Sequence, residues 1–143
     1  MSLCHAALCL SFLLTVSCRD LRDLYKLGAA LNQQYPDSRV SVSLTDGLIL
    51  TVTVADSTFA VTSCEGQAAV ATRIATLVRG NYGGFDSLQT ISVAFASSRA
   101  SGRATAGAAG SHFRFAPNVL RRGLTPADST RAIESCKAWR ELQ

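Results

Sequence analysis

The sequence predicts an α+β fold: a two-layer sandwich with a mainly antiparallel sheet of about four strands and helices on one face. Three observations carry that expectation. "RVSVSLTDGLILTVTV", Arg39 to Val54, alternates apolar with polar residues on both sides of an Asp-Gly turn, as a half-buried hairpin does. "AVATRIATLV", Ala69 to Val78, places Ala71, Ile74, Ala75 and Val78 three and four residues apart, the period of an amphipathic helix. "LQTISVAF", Leu88 to Phe95, returns to a period of two, pointing Ile91, Val93 and Phe95 to one side.

The elements follow in chain order. From Leu21 the pattern is helical, with Leu21, Leu24, Tyr25, Gly28 and Leu31 on one expected face. Pro36 stops it by disfavouring helix at Tyr35. In the hairpin, a two-residue Asp46-Gly47 loop would set Leu44 against Ile49 and mix the faces. A three-residue loop, Thr45-Asp46-Gly47, sets Leu44 against Leu48, Val42 against Leu50 and Val40 against Val52, with Gly47 in the left-handed region. The three-residue loop is therefore expected. Thr62 and Glu65 read as a capping box for the second helix, and Gly80 or Gly83 in "GNYGG" as its left-handed stop. "SHFRFA" offers a short fourth strand with Phe113 and Phe115 inward. Thr125-Pro126 opens a last helix whose packing face is Ile133, Cys136 and Trp139.

A chain of 143 residues that is 48% hydrophobic and 17% charged describes one folding domain. Residues 1–17, "MSLCHAALCLSFLLTVS", carry no charged side chain and a dense apolar run from Ala6 to Val16, short for a membrane span and suited to the core of a signal peptide. The division expected is a signal peptide over 1–17 and a single α+β domain with a C-terminal helix over 18–143.

"LLTVSC", Leu13 to Cys18, resembles the lipobox of bacterial lipoprotein precursors, with Thr15 standing where leucine is usual. The resemblance implies cleavage after Ser17, lipidation (diacylglycerol and palmitate) of Cys18 and attachment to a membrane of the cell envelope. Read without it, the segment fits an ordinary cleaved signal, an uncleaved anchor or a buried first helix. The hairpin, helix and "LQTISVAF" strand together also resemble small uncharacterised exported bacterial proteins. In outline they are similar to BON-type envelope domains, a family associated with membrane attachment.

With Cys4 and Cys9 in the signal and Cys18 acylated, Cys64 and Cys136 are left as a pair. They form either a disulfide between the second and last helices, as an oxidising envelope allows, or two reduced cysteines packed as small hydrophobes. Catalytic signatures do not occur: no G-x-S-x-G, H-E-x-x-H, C-x-x-C or P-loop pattern is present, and His112 is the one histidine beyond residue 17. No cofactor, metal site or catalytic residue is expected, and the chain is read as a non-enzyme.

Charge is uneven. Net charge is +4, and every basic residue except Lys26 and Lys137 is arginine. No acid lies between Asp86 and Asp128, while Arg99, Arg103, Arg114, Arg121 and Arg122 do. Arg99, Arg103, Arg121 and Arg122 are the expected contacts to an anionic surface, Arg114 being reserved for the fourth strand. Such a run attracts anionic lipid headgroups or acidic envelope polymer, or is simply a solvated face. Nucleic acid is not expected: it suits the charge but not the compartment, and no stacking aromatics line up beyond Phe113 and Phe115. The functional expectation is a non-catalytic envelope lipoprotein, a small interaction or structural module with a membrane, an anionic surface or a protein as partner. The alternative is a secreted enzyme accessory or a periplasmic small-ligand-binding protein, whose pocket would draw on His112, Tyr82 or Asp86.

Overall fold

The computed structural model describes residues 20–55, 63–96 and 111–141, with the Trp139 side chain outside that description. Cys18, Thr62, Arg99 and Arg103 also lie outside the described residues. Helix α1 spans 20–34. It is followed by β1 Arg39–Thr45, β2 Ile49–Ala55, α2 Cys64–Asn81, a 3-10 turn Phe85–Ser87, β3 Thr90–Ala96, β4 His112–Phe115, α3 Pro117–Arg122 and α4 Pro126–Glu141. The strands form one sheet in the order β1-β2-β3-β4. Its outer pairings are antiparallel, and the central β2–β3 pairing is parallel because α2 carries the chain back across the sheet between them. This is the expected α+β architecture.

Alternation in the sequence decides which face is dry. Leu50, Val52, Val54, Ile91, Val93, Phe95, Phe113 and Phe115 are buried, and Val40, Val42 and Leu44 at the β1 edge pack half-buried against them. Each such side chain contributes about 1.5–3 kcal/mol when fully buried. On the opposite face, Ser41, Ser43, His112 and Arg114 are exposed, and small Ser92 and Ala94 lie between longer neighbours in register. Phe95 and Phe113 meet edge to face, ring centres 5.8 Å apart. All four helices contribute to the one core, through Leu27 and Leu31, the α2 stripe, Leu120 and Cys136. Ala68, Ala71 and Ala75 bring α2 close to the sheet, and Ile74 and Val78 fill the space beside them.

The hairpin keeps its predicted faces, but its register is two residues from the expected one. Leu44 pairs with Leu50, Val42 with Val52 and Val40 with Val54, so the loop is Asp46-Gly47-Leu48. Asp46 (φ 53°) and Gly47 (φ 70°) both occupy the left-handed region, a two-residue primed turn closed by the Leu48 N–H to the Thr45 carbonyl at 3.0 Å. Leu48 is then the extra residue of a bulge. Its carbonyl accepts from the N–H groups of Gln89 and Thr90, 2.8 and 3.3 Å, where the chain leads into β3. A shift of two residues leaves every side chain on its face, so alternation alone does not distinguish the two registers.

Three further expectations are corrected. The buried face of α1 is Leu24, Leu27 and Leu31, whereas Leu21 and Tyr25 are 69% and 79% exposed. The apolar arc from Leu27 round to Tyr25 covers about 160° at 100° per residue, and the core takes only one half of it. The cap of α2 is Ser63 rather than Thr62: its hydroxyl accepts from the Gly66 N–H at 3.1 Å. Finally, α2 ends at Tyr82 in an extended conformation, and neither Gly80 nor Gly83 has a positive φ. Gly83 and Gly84 are needed for close approach. A Cβ on Gly83 would lie 2.6 Å from Asp23 Oδ2 of α1, and one on Gly84 would lie 2.8 Å from the buried Tyr82 ring.

Those contacts order three substitutions. Gly84→Ala meets the ring of a residue held in the core and destabilises most. Gly83→Ala displaces only a carboxylate and destabilises less. Gly80→Ala meets nothing within 4 Å and, inside a helix, stabilises by about 0.5–1 kcal/mol. Thermal unfolding of the three variants gives this order; destabilisation by Gly80→Ala would restore a capping role to that glycine.

Candidate functional site

The last helix is fixed at two corners. At one, Cys64 opens α2 and Cys136 lies on the inner side of α4, their Cα atoms 5.8 Å apart and their sulfurs bonded. Both residues are buried. Gln67, one turn into α2 and 2% exposed, accepts a hydrogen bond from the Ser111 hydroxyl and lies 3.6 Å from Cys136 Sγ. The Ser111 carbonyl in turn accepts from the Phe95 N–H at 3.0 Å. Outside the bridge, Lys137 Nζ is 2.9 Å from Glu65 Oε1, and that hydrogen bond is the main cause holding the Glu65 carboxyl below its usual pKa. The site is thus a covalent and polar seam between α2, α4 and the start of β4. Its sulfurs are enclosed, which suits a structural link rather than a thiol that exchanges with solvent partners.

At the other corner stand two of the predicted arginines. Residue order had suggested arginines without acids, yet folding returns the flanking acids to them. Arg121 Nε lies 3.7 Å from Asp86, an exposed pair. Arg122 donates to both oxygens of Asp128 at 3.1 and 3.0 Å. Asp128 also accepts from the Thr125 N–H (3.0 Å) and hydroxyl (2.7 Å), and its own N–H bonds the Thr125 hydroxyl at 3.3 Å. This is a reciprocal cap with Pro126 at the first helical position, as the Thr-Pro signal predicts. Arg79 donates to the Leu120 carbonyl at 2.8 Å, joining the end of α2 to α3. Arg121 and Arg122 therefore share one corner, each neutralised in part, while Arg114 projects from the open face of β4.

The residues named for a ligand pocket do not come together. His112 is exposed on β4, Tyr82 is 4% exposed in the core, and Asp86 faces solvent beside Arg121. Burial, followed by the charges of Asp20 and Asp23, pushes the Tyr82 hydroxyl up in pKa. The described residues do form a wide groove of about 590 Å³ elsewhere, between α1 and the β1 edge, lined by Leu21, Leu24, Tyr25, Gly28, Ala29, Asn32 and Val42. Among the described residues, no group of three metal-ligating side chains converges, and no helix is long and apolar enough to cross a membrane.

Sequence reasoning missed this groove because it assigned Leu21 and Tyr25 to the core. It also missed α3, although Pro117 at its first turn and Gly123 (φ 88°) at its end are the usual start and stop residues of a helix. Gln67 gave no signal, since a polar residue in a buried stripe shows its role only when its partner is in place.

The Asp128 cap yields a pH-dependent expectation. Hydrogen bonds from the Thr125 N–H and hydroxyl, followed by the charges of Arg122 and Arg131, hold the carboxyl below its ordinary value of 3.8. A depressed native pKa stabilises above the unfolded value, and the contribution disappears as pH falls through the ordinary value and then the native one. Asp128→Asn should therefore lower the melting temperature at pH 7. The gap from wild type should narrow in acid, below about pH 4. Thermal melts of both proteins across that range measure it; a gap that stays constant into acid would show that charge plays no part in the cap.

Comparison with protein-family models, with curated protein sequences and with solved structures finds no match.

Proposed function

We propose that the chain is a non-catalytic envelope lipoprotein: exported, cleaved before Cys18, held to a membrane through lipid on that thiol, and acting as a small interaction or structural module. The observation that carries this reading is the Cys64–Cys136 bridge. Its geometry is that of a disulfide closing a separation of 72 residues, and such links persist in oxidising compartments outside the cytoplasm. The lipobox-like "LLTVSC" supplies the address. Cys18 stands two residues before Asp20, the first described residue of α1, so an anchored domain sits close to the membrane surface. There the arginines of the basic segment contact anionic headgroups, at about 1 kcal/mol for an arginine without an acidic partner and less for Arg121 and Arg122, which Asp86 and Asp128 partly neutralise.

Metabolic labelling with a fatty-acid analogue tests the anchor. Wild-type protein should be labelled and recovered in the membrane fraction, and Cys18→Ala should be neither. A wild type that is cleaved, soluble and unlabelled would leave an ordinary secreted protein.

The basic segment is tested separately on residues 18–143 carrying Cys18→Ser, so that neither lipid nor the apolar residues 1–17 supply membrane affinity. It should bind anionic vesicles at low salt and leave them as the Debye length shrinks to about 10 Å near 0.1 M. Replacing Arg99, Arg103, Arg121 and Arg122 with glutamine should abolish binding, with melting temperature followed in parallel because Arg122→Gln also frees Asp128. Equal binding by both proteins would make the run a solvated face.

A further inference from the structure

Edge strand β1 and the overhanging half of α1 together form a surface with its own chemistry. We infer that the protein forms a two-fold dimer in which β1 pairs antiparallel with β1 of a second copy, extending the sheet to eight strands.

Backbone direction comes first. The Leu48 N–H bonds the Thr45 carbonyl, so Thr45 directs its backbone groups toward β2. In an antiparallel ladder that orientation alternates. Ser41 and Ser43 therefore also face β2, while Val40, Val42 and Leu44 turn their N–H and C=O groups to the open edge. Among the described residues, no strand takes them up.

The two edges of the sheet differ in protection. β4 has four residues, carries His112 and Arg114 on its open face, and runs into Pro117. β1 has seven residues, "RVSVSLT", with no Lys, Pro or bulge inside and no charge beyond Arg39 at its first position. A long, flat, uncharged edge is a template for another strand.

The strand is complementary to itself. Antiparallel pairing centred on Val42 sets Val42 against Val42, Val40 against Leu44 and Ser41 against Ser43, so the apolar and polar faces continue across the joint. The residues placed opposite one another with free backbone groups are Val40, Val42 and Leu44, which can exchange N–H···O bonds. The same register pairs all seven residues. It puts Arg39 of each chain opposite Thr45 and beside Asp46 of the other, giving opposite charges at both ends. Arg39 and Asp46 are both exposed. Asp37 lies in the turn closed by the Ser38 N–H and the Tyr35 carbonyl, leading away from the strand.

The groove accounts for the remaining surface. Val42 lies on its β1 side and Leu21, Leu24, Tyr25, Gly28 and Ala29 on its α1 side. The two-fold that pairs the strands also brings the partner's α1 alongside α1 on the same face of the sheet, so that Leu21 and Tyr25 of the two helices cover one another above Val42. The small Gly28 and Ala29 leave room for close approach.

The proposal does not depend on lipid at Cys18, so it is tested on the full chain in a non-ionic detergent. Sedimentation equilibrium should give twice the chain mass for wild type. Ser41→Lys/Ser43→Lys, which alters only exposed positions on the open face, should give a single chain mass with unchanged far-UV circular dichroism. It sets lysine opposite lysine across the joint. Co-expressed Ser41→Cys and Ser43→Cys chains should form a covalent dimer under mild oxidation, with the 41–43 link identified by mass spectrometry of the joined peptides, and Ser41→Cys alone should not. A monomeric wild type, a lysine variant that remains dimeric, or equal cross-linking by Ser41→Cys alone would each overturn the pairing. A monomer that captured a foreign strand at this edge would count among the first of these.

Discussion

The parallel pairing of β2 with β3 is the constraint from which the rest of the structure follows. Two strands running the same way need a crossover, and the chain between them holds α2. That helix must lie on the sheet it has just left: it contacts β3 and β4, and its apolar stripe joins Leu50, Val52, Ile91 and Val93 in one core. Alanines at 68, 71 and 75 let the helix sit low, and Gly83 and Gly84 then let the chain turn tightly beneath Asp23 and Tyr82 toward β3. The other helices flank it at the two margins: α1 lines the groove at the β1 edge, while α3 and α4 contact α2, and α4 also contacts β4.

The margins are held by different means. On the β4 side, α4 is a polar helix, and its described inward contacts are Ala132, Ile133 and Cys136. So few apolar contacts would hold it weakly. The disulfide compensates, since closing 72 residues lowers the unfolded chain's entropy by an equivalent of roughly 4 kcal/mol in the loop-entropy picture. Against a typical total stability of about 5–15 kcal/mol, that is a large share. The Lys137–Glu65 pair and the Thr125–Asp128 cap lie at opposite ends of the same helix and fix its direction. A redox bond thus carries what side-chain burial carries elsewhere in the domain, which ties the fold to the compartment in which the chain oxidises.

How far the sequence revealed this depends on the range over which each feature is determined. The faces of β1, β2 and β3 were legible because alternation is local and repeats over seven residues. The register was not, because it depends on two positive φ values and on a Leu48 carbonyl engaged by the approach to β3, forty residues on. The α2 stripe was legible over the ten residues Ala69 to Val78, whereas the six residues of α3 make too few turns to show a period. For α1 the difficulty was excess: with apolar residues over nearly half its circumference, periodicity permits several faces, and only the position of the sheet selects Leu24, Leu27 and Leu31. The charge reading erred in the same way. Asp86 and Asp128 bound the arginine run in sequence, and the fold closes that interval so that each comes to rest beside an arginine.

Position also explains why α1 has an apolar half outside the core. A helix lying over the middle of a sheet can bury a wide arc, because strands extend under it on both sides. A helix at the margin beside β1 has no described strand beneath its outer half. With α2 over β3 and β4, α1 takes the β1 side, and the arc holding Leu21, Tyr25, Gly28 and Ala29 faces the groove at the β1 edge. Substituting polar residues there would leave the core contacts of Leu27 and Leu31 intact, so stability of the single chain does not require those side chains to be apolar. Neither does it require β1 to keep an uncharged edge: Ser41 and Ser43 are exposed and would accommodate lysine. Two neighbouring features that the isolated fold does not need, an apolar overhang and a strand edge that no described strand pairs, coincide on one margin. What unites them is the geometry of one more strand.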